Sequence, residues 1–312
     1  STAQSLASNV IFDAYDGVRD LPGRVDAKVK IVDKTLSSLE NLLRQSPGDA
    51  KTIDLLANAY MRAGDISSGA AGEGVDIPGA VKYYRRLVEF REQAARFGTP
   101  SSLTQLPVAR IRLASAMGRL QQIDEAMNGA RRAIQEFESL PASVRQTAAG
   151  KGTRVTLYDF ACEITGFNSL TAEALKYCTL ASEFAGAPEL DIDPRILMVR
   201  GSNWAKLAVL ARSNQKAEEA SRFLAAAVES YVGYLKVHPD SADAQRGLAI
   251  IAGHYAVMQE SLGSAEARVA YEKALEALTK IVGVVKNRTQ AEQILAWIHM
   301  RYATFLYSKG EK

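Results

Sequence analysis

Cysteine and histidine are scarce in this chain, and each scarcity removes a class of function. Two cysteines among 312 residues cannot staple a disulfide-rich fold or supply a four-cysteine zinc site. The three histidines, His238, His254 and His299, have no local set of ligands around them; they read as packing or solvated side chains, and no metal is expected. No apolar run approaches the ~20 residues that span a bilayer, so no direct membrane insertion is expected. Ser1-Thr-Ala-Gln-Ser has neither the charged nor the apolar region of a signal peptide, and the chain opens without Met. It reads as a soluble fragment of something longer.

Charge of one sign is missing too. The 38 basic and 35 acidic residues leave a net +3, spread without a basic block, whereas nucleic acid requires a concentrated positive footprint. Nucleic acid is therefore not an expected partner. Gly150-Lys151-Gly152-Thr153 suggests a phosphate loop, but that loop needs a glycine five residues before its Gly-Lys, and Arg145 stands there. No carboxylate pair stands out as general acid and base, and no cofactor is expected. An enzyme with an unrecognised helical site is the reading from another class; two buried carboxylates or three convergent metal ligands would mark it.

What is present is helix. Hydrophobic residues make up 47% and charged residues 23%, enough apolar surface to bury a core. Apolar residues recur three and four apart and hardly ever alternate. Breaks fall at Leu21-Pro-Gly, Ser46-Pro-Gly-Asp, Ile66 to Pro78, Phe97-Gly-Thr-Pro-Ser, Leu140-Pro, Gly186 to Pro194, His238-Pro-Asp-Ser and Val285 to Thr289. They predict about a dozen helices. Asp49, Asn168 or Ser169, and Asp240-Ser241 offer helix-start chemistry.

The internal repeat decides between a bundle and a solenoid. Tetratricopeptide helix pairs place Trp-x2-Leu-Gly-x2-Tyr on one helix and Ala-x3-Phe-x2-Ala on the next. Small residues sit where the two helices cross most closely, and large ones fill the seams. Trp204, Leu207, Ala208, Ala211 followed by Ala220, Leu224, Ala227 keep every interval. Leu113, Ala114, Met117 with Ala126, Ala130, Ala133 repeat them, as do Tyr158, Ala161, Cys162 with Ala174, Cys178, Ala181. Leu56, Ala57, Tyr60, Gly64 give a first helix whose partner, Ala80, Tyr84, Leu87, arrives late because the loop from Ile66 to Ile77 is enlarged. Leu248, Ala249, Ala252 and Ala267, Tyr271, Ala274 form the last pair, with Tyr255 and Ala256 fitting an alternative register. Tyr302, Ala303, Leu306, Gly310 stand as a lone first helix.

The expected fold is thus an all-α, right-handed solenoid of about five tetratricopeptide-like pairs plus flanking helices. Residues 1–47 lead into a continuous array over 48–312. Its pairs lie near 48–97, 101–139, 142–184, 194–237 and 240–283, with a final helix at 289–310.

Val10-Ile-Phe-Asp-Ala-Tyr-Asp-Gly-Val-Arg-Asp-Leu-Pro-Gly, the Thr35-Leu-Ser-Ser-Leu-Glu-Asn-Leu block, Leu55-Leu-Ala-Asn-Ala-Tyr-Met-Arg-Ala-Gly-Asp-Ile and Gly79-Ala-Val-Lys-Tyr-Tyr-Arg-Arg-Leu-Val-Glu-Phe-Arg-Glu-Gln follow in order. This stretch, residues 10–93, resembles the repeat region that follows the catalytic domain in bacterial serine/threonine protein kinases. It departs from that family at Ser67 to Asp76, where an Asn-Pro and a Leu-Gly-Asp are more usual. The resemblance implies a sensor or scaffold segment on the extracytoplasmic side of a membrane-anchored kinase, or a cytoplasmic one where no anchor exists. The chain itself carries no Gly-rich phosphate loop, His-Arg-Asp or Asp-Phe-Gly, so no catalysis is expected of it.

Related repeats bind peptides along the first helix of each pair. The same faces here carry Asn58, Arg62, Arg112, Ser115, Arg119, Lys206, Arg212 and Arg246, a mildly basic lining suited to an acidic peptide or a C-terminal carboxylate. Asp54, Asp159 and Glu163 interrupt it, and a merely solvated polar face is the plainer alternative. Self-association into a homo-oligomer is the rival within the binding class. Cys162 and Cys178 occupy matching positions of one helix pair; they serve either as small packing groups or as a disulfide.

Overall fold

In the computed structural model the described residues run from 33 to 311, except for 35, 39, 42, 45–47, 69–74, 169, 187–189, 191–193, 240 and 283–287. Twelve helices have both ends among them, and described residues between 33 and 44 are helical as well. The chain divides into two compact units, Ser1–Leu170 and Thr171–Lys312. The first holds α1 (Ala50–Ser67), α2 (Ile77–Ala95), α3 (Pro100–Arg119), α4 (Ile123–Glu138), the single turn α5 (Ala142–Arg145) and α6 (Ala148–Phe167). The second holds α7 (Thr171–Ala185), α8 (Pro194–Ser213), α9 (Ala217–Val237), α10 (Ala242–Ser261), α11 (Ala267–Val282) and α12 (Arg288–Ser308).

Side chains fix where helices begin. Asp49 accepts the Thr52 N–H at 2.9 Å, Asp76 that of Gly79 at 2.9 Å, Thr99 that of Ser102 at 3.1 Å and Thr147 that of Gly150 at 3.0 Å, each satisfying a donor the first turn leaves open. Ser241 does the same for Ala244 at 3.4 Å. Asn168 works at the opposite end from the expected one: it closes α6, its Nδ2 donating to the Ile164 carbonyl at 2.7 Å. Ser169, the alternative, lies outside the described residues, as do residues 10–32 of the kinase likeness. The Gly150–Thr153 stretch lies in the first two turns of α6. A Cβ at Gly150 would come within 2.3 Å of the Val144 carbonyl oxygen, so glycine lets α5 and α6 meet there.

The turns of two hairpins share one conformation. Gln121 between α3 and α4, and Gln215 between α8 and α9, both take positive φ, 63° and 61°. The following N–H groups return to helix carbonyls, Gln122 to Met117 at 3.1 Å and Lys216 to Ala211 at 2.9 Å. This is a glycine-type helix stop made with glutamine.

Packing follows chain order in each unit. In the first, α1 packs on α2, α2 on α3, α3 on α4, and α6 on α3 and α4. In the second, α7 packs on α8 and so on to α11 on α12. Such nearest-neighbour stacking is the helical-repeat solenoid pattern. The small residues of the repeat lie in the crossings: Ala57, Ala80, Ala114, Ala126, Ala130, Ala208, Ala220, Ala249 and Ala274 are all buried. Gly64 admits the Tyr84 ring so closely that a Cβ would lie 2.3 Å from it. In the second unit the Tyr231 ring of α9 is held between Gly201 and Gly247, whose Cβ atoms would lie 2.9 and 2.6 Å away. Ala249, Ala252 and Ala256 are all buried, at three- and four-residue spacing on one face of α10; the two registers weighed from the sequence are successive turns of that face.

Candidate functional site

In the first unit, the polar faces of the first helices are engaged with the chain itself. Asp54 accepts from Arg91, whose Nη2 donates to Asn58 Oδ1 at 2.6 Å, while Asn58 Nδ2 donates to Asp54 at 3.2 Å. Arg91 is 3% exposed, so this triad buries a guanidinium between α1 and α2. Arg112 of α3 pairs with Asp65 of α1, which also accepts the Tyr84 hydroxyl at 2.7 Å. The Arg112 guanidinium lies 5.4 Å from the Phe160 ring centre. Burial, and then the Asp65 charge, push the Tyr84 phenol above its usual value. Arg119 Nη1 donates to the Ser68 carbonyl at 2.6 Å. Ser115, expected on the open face, is buried at 8% exposure, and Arg62 is half-buried.

The second unit differs. A cavity of about 660 Å³ runs between α8 and α10 over α9. From α8 come Ser202, Ala205, Lys206, Val209 and Arg212, one face at three- and four-residue spacing. Leu224 and Tyr231 of α9 form the floor, and Ile250, Ile251, His254, Val257 and Met258 of α10 the far wall. The stacking of Trp204 on Phe223, centres 5.6 Å apart, sets the roll of α8 against α9. The structure thus brings Lys206 and Arg212 to one cavity. Arg246, on α10, is half-buried and outside its lining.

Apart from the Tyr231 phenol, the ionisable side chains that line this cavity are basic ones. Lys206, Arg212 and His254 line it, and no lining residue is acidic. Desolvation, then the Arg212 charge, hold the His254 imidazole below its usual value, so it is neutral at pH 7 and becomes a third cation on acidification. His254 also contacts the Trp297 ring, centres 5.8 Å apart. Burial raises the phenol of Tyr231, another residue of the cavity lining. Apolar walls with a few polar anchors of one sign suit an apolar segment that carries carboxylates.

Sequence reasoning missed His254 and Tyr231. The signal for His254 was its spacing from Ile250 and Met258, hidden by the two candidate registers of α10. That for Tyr231 was the glycine pair, Gly201 and Gly247, spaced to receive a ring.

Cys162 of α6 and Cys178 of α7 are each 1% exposed. No described helix is long and apolar enough to cross a membrane, and among the described residues no three His, Cys, Asp or Glu side chains gather as a metal site.

No family model matches the sequence, and no curated protein matches it. Among solved structures, BtubC from P. vanneervenii is similar at TM-score 0.50 and 15% identity, over 76% of this chain and 93% of that one. A monomeric IFIT1 mutant with Gppp-AAAA follows at TM-score 0.46 and 13% identity, over 90% and 52%. YrrB, a TPR protein with an unusual peptide-binding site, matches at TM-score 0.37 and 15% identity, over 82% and 96%. Of these three the BtubC likeness speaks for the fold, and at such identity for the fold alone. With the helix order and the repeat register, the chain is an all-α, tetratricopeptide-like helical-repeat solenoid.

Proposed function

We propose that the chain is a non-catalytic protein- or peptide-binding module whose cavity between α8, α9 and α10 receives an apolar segment bearing carboxylates. The observation that carries this reading is the cavity itself: apolar walls, two cations and a titratable imidazole, and no acid among its lining residues. An apolar side chain entering it would gain ~25 cal/mol per Å² removed from water. The cations would choose among such segments by charge.

A direct test is fluorescence anisotropy with a labelled ten-residue peptide of alternating leucine and glutamate ending in a free carboxylate. The Lys206→Glu/Arg212→Glu variant is expected to bind it at least about tenfold more weakly. Equal binding by both proteins would overturn the site.

The resemblance of residues 10–93 to the repeat region of bacterial serine/threonine kinases supports a place for the module beside a kinase domain, as a sensor or scaffold on the extracytoplasmic side where the parent spans a membrane. A full-length parent whose autophosphorylation does not respond to cavity ligand would count against that placement while leaving the cavity intact.

A further inference from the structure

Residues 1–32 make the longest stretch outside the described part of the chain, and twelve of them carry the chemistry that the cavity of the second unit calls for. Residues 10–21 read Val-Ile-Phe-Asp-Ala-Tyr-Asp-Gly-Val-Arg-Asp-Leu, seven apolar or aromatic side chains with three aspartates and one arginine. The acidity is confined to this segment. Residues 1–9 have no charged side chain, and residues 22–32 carry three bases and one acid.

The cavity between α8 and α10 is the complement in both respects. Its walls are apolar, and its charged lining residues, Lys206 and Arg212, are cations. Val209 stands midway between them in the sequence of α8, lines the same cavity and is 54% exposed. Six residues of helix set the two cations ~9 Å apart along the axis.

We propose that residues 10–21 of one copy occupy this cavity in a second copy. The inference rests on the reading of the cavity given above and names its occupant. In an extended segment, at ~3.3 Å per residue, Asp13 and Asp16 are separated by about 10 Å, so Asp13 meets one cation while Asp16 meets the other. Long Lys and Arg side chains take up the small difference. Tyr15, between the two acids, then lies over Val209 and the Tyr231 ring of the floor. A second copy is the donor because of what the alternative implies. Supplied from within the same chain, the segment would act at an effective concentration of ~1 mM and close the cavity to any outside peptide of ordinary affinity. Supplied by a second copy, it leaves the cavity open when the chain is dilute and fills it when the chain is concentrated. Such a contact joins two different surfaces, so it can continue from copy to copy.

Sedimentation equilibrium of the full 312-residue chain, up to about 1 mM, tests the proposal, with circular dichroism as a check on folding. The parent is expected to self-associate. Asp13→Lys/Asp16→Lys and Lys206→Glu/Arg212→Glu should each weaken association by at least about tenfold, and a chain carrying all four reversals should recover it. A parent that stays monomeric, a variant that associates as well as the parent, or a fourfold reversal that recovers nothing would each overturn the proposal. The leucine–glutamate peptide separates this failure from failure of the cavity reading. If the dilute parent binds that peptide and yet never self-associates, the cavity stands and the occupant falls; if it does neither, both fall.

Discussion

The two units use the same repeat and similar charges to different ends. In the first, cations on the helix faces are tied to the chain's own acceptors: Arg91 to Asp54 and Asn58, Arg112 to Asp65, Arg119 to the Ser68 carbonyl. In the second, Lys206, Arg212 and His254 line a cavity to which no acid contributes. The buried tyrosines follow suit. Tyr84 sits against Gly64 with its hydroxyl on Asp65 at 2.7 Å; Tyr231 sits between Gly201 and Gly247 in the lining of the cavity, its phenol raised by burial. Charge on a repeat face therefore points to a site only where the packing also opens a cavity beside it.

Reversing the cavity's sign should separate the units most strongly. Lys206→Glu/Arg212→Glu is expected to lower affinity for an acidic, apolar peptide by about a hundredfold at low salt, less at high salt, while thermal unfolding shifts little. The matching change in the first unit, Asp65→Ala, should do the reverse: it strips Arg112 and Tyr84 of their shared acceptor and costs about 2 kcal/mol of stability in denaturant unfolding, with peptide affinity unchanged. Equal effects of the two variants on binding would erase the distinction.

Removing one oxygen sharpens it. Tyr84→Phe should destabilise by about 1–2 kcal/mol, since a hydrogen bond to a carboxylate is lost. Tyr231→Phe should leave stability within ~0.5 kcal/mol and weaken peptide binding a few-fold. A destabilised Tyr231→Phe protein, or a Tyr84→Phe protein as stable as the parent, would contradict the contrast.

Acidity gives the smallest effect. His254 has a depressed value in the folded chain, so lowering pH from 7 first leaves it neutral and then charges it. Binding of a peptide whose carboxylates remain ionised should tighten as pH falls through that value, by two- to threefold, and His254→Gln should flatten the profile. Folding stability moves the other way: the unfolded chain takes up the proton first, so this histidine costs stability as pH falls below the ordinary imidazole value. Tightening that persists in His254→Gln would assign the effect elsewhere.

Much of the fold was legible because repeat chemistry is local. Ala208 and Ala220, or Ala114 and Ala126, mark helix crossings through spacing alone, and each of them is buried. The capping role of Asp49 was legible for the same reason. Asn168 was misplaced because one amide can close a helix as readily as open the next, and only the carbonyl it reaches decides. The site was half legible. Lys206 and Arg212 could be placed on an open face by periodicity, but so could Arg112 and Arg119; packing from about fifty residues away brings Asp65 and the Ser68 carbonyl to the latter two, while the former two line a cavity. Periodicity places a charge on a face, and tertiary packing then determines whether that face borders a cavity.

The most direct measurement of that difference is hydrogen exchange of the full chain, followed by mass spectrometry, with and without saturating acidic apolar peptide. Slowed exchange confined to residues 202–212 and 247–261 is the predicted result. Slowing over α1 to α3 instead, or none anywhere while the peptide is bound, would contradict the assignment of the binding site to the second unit.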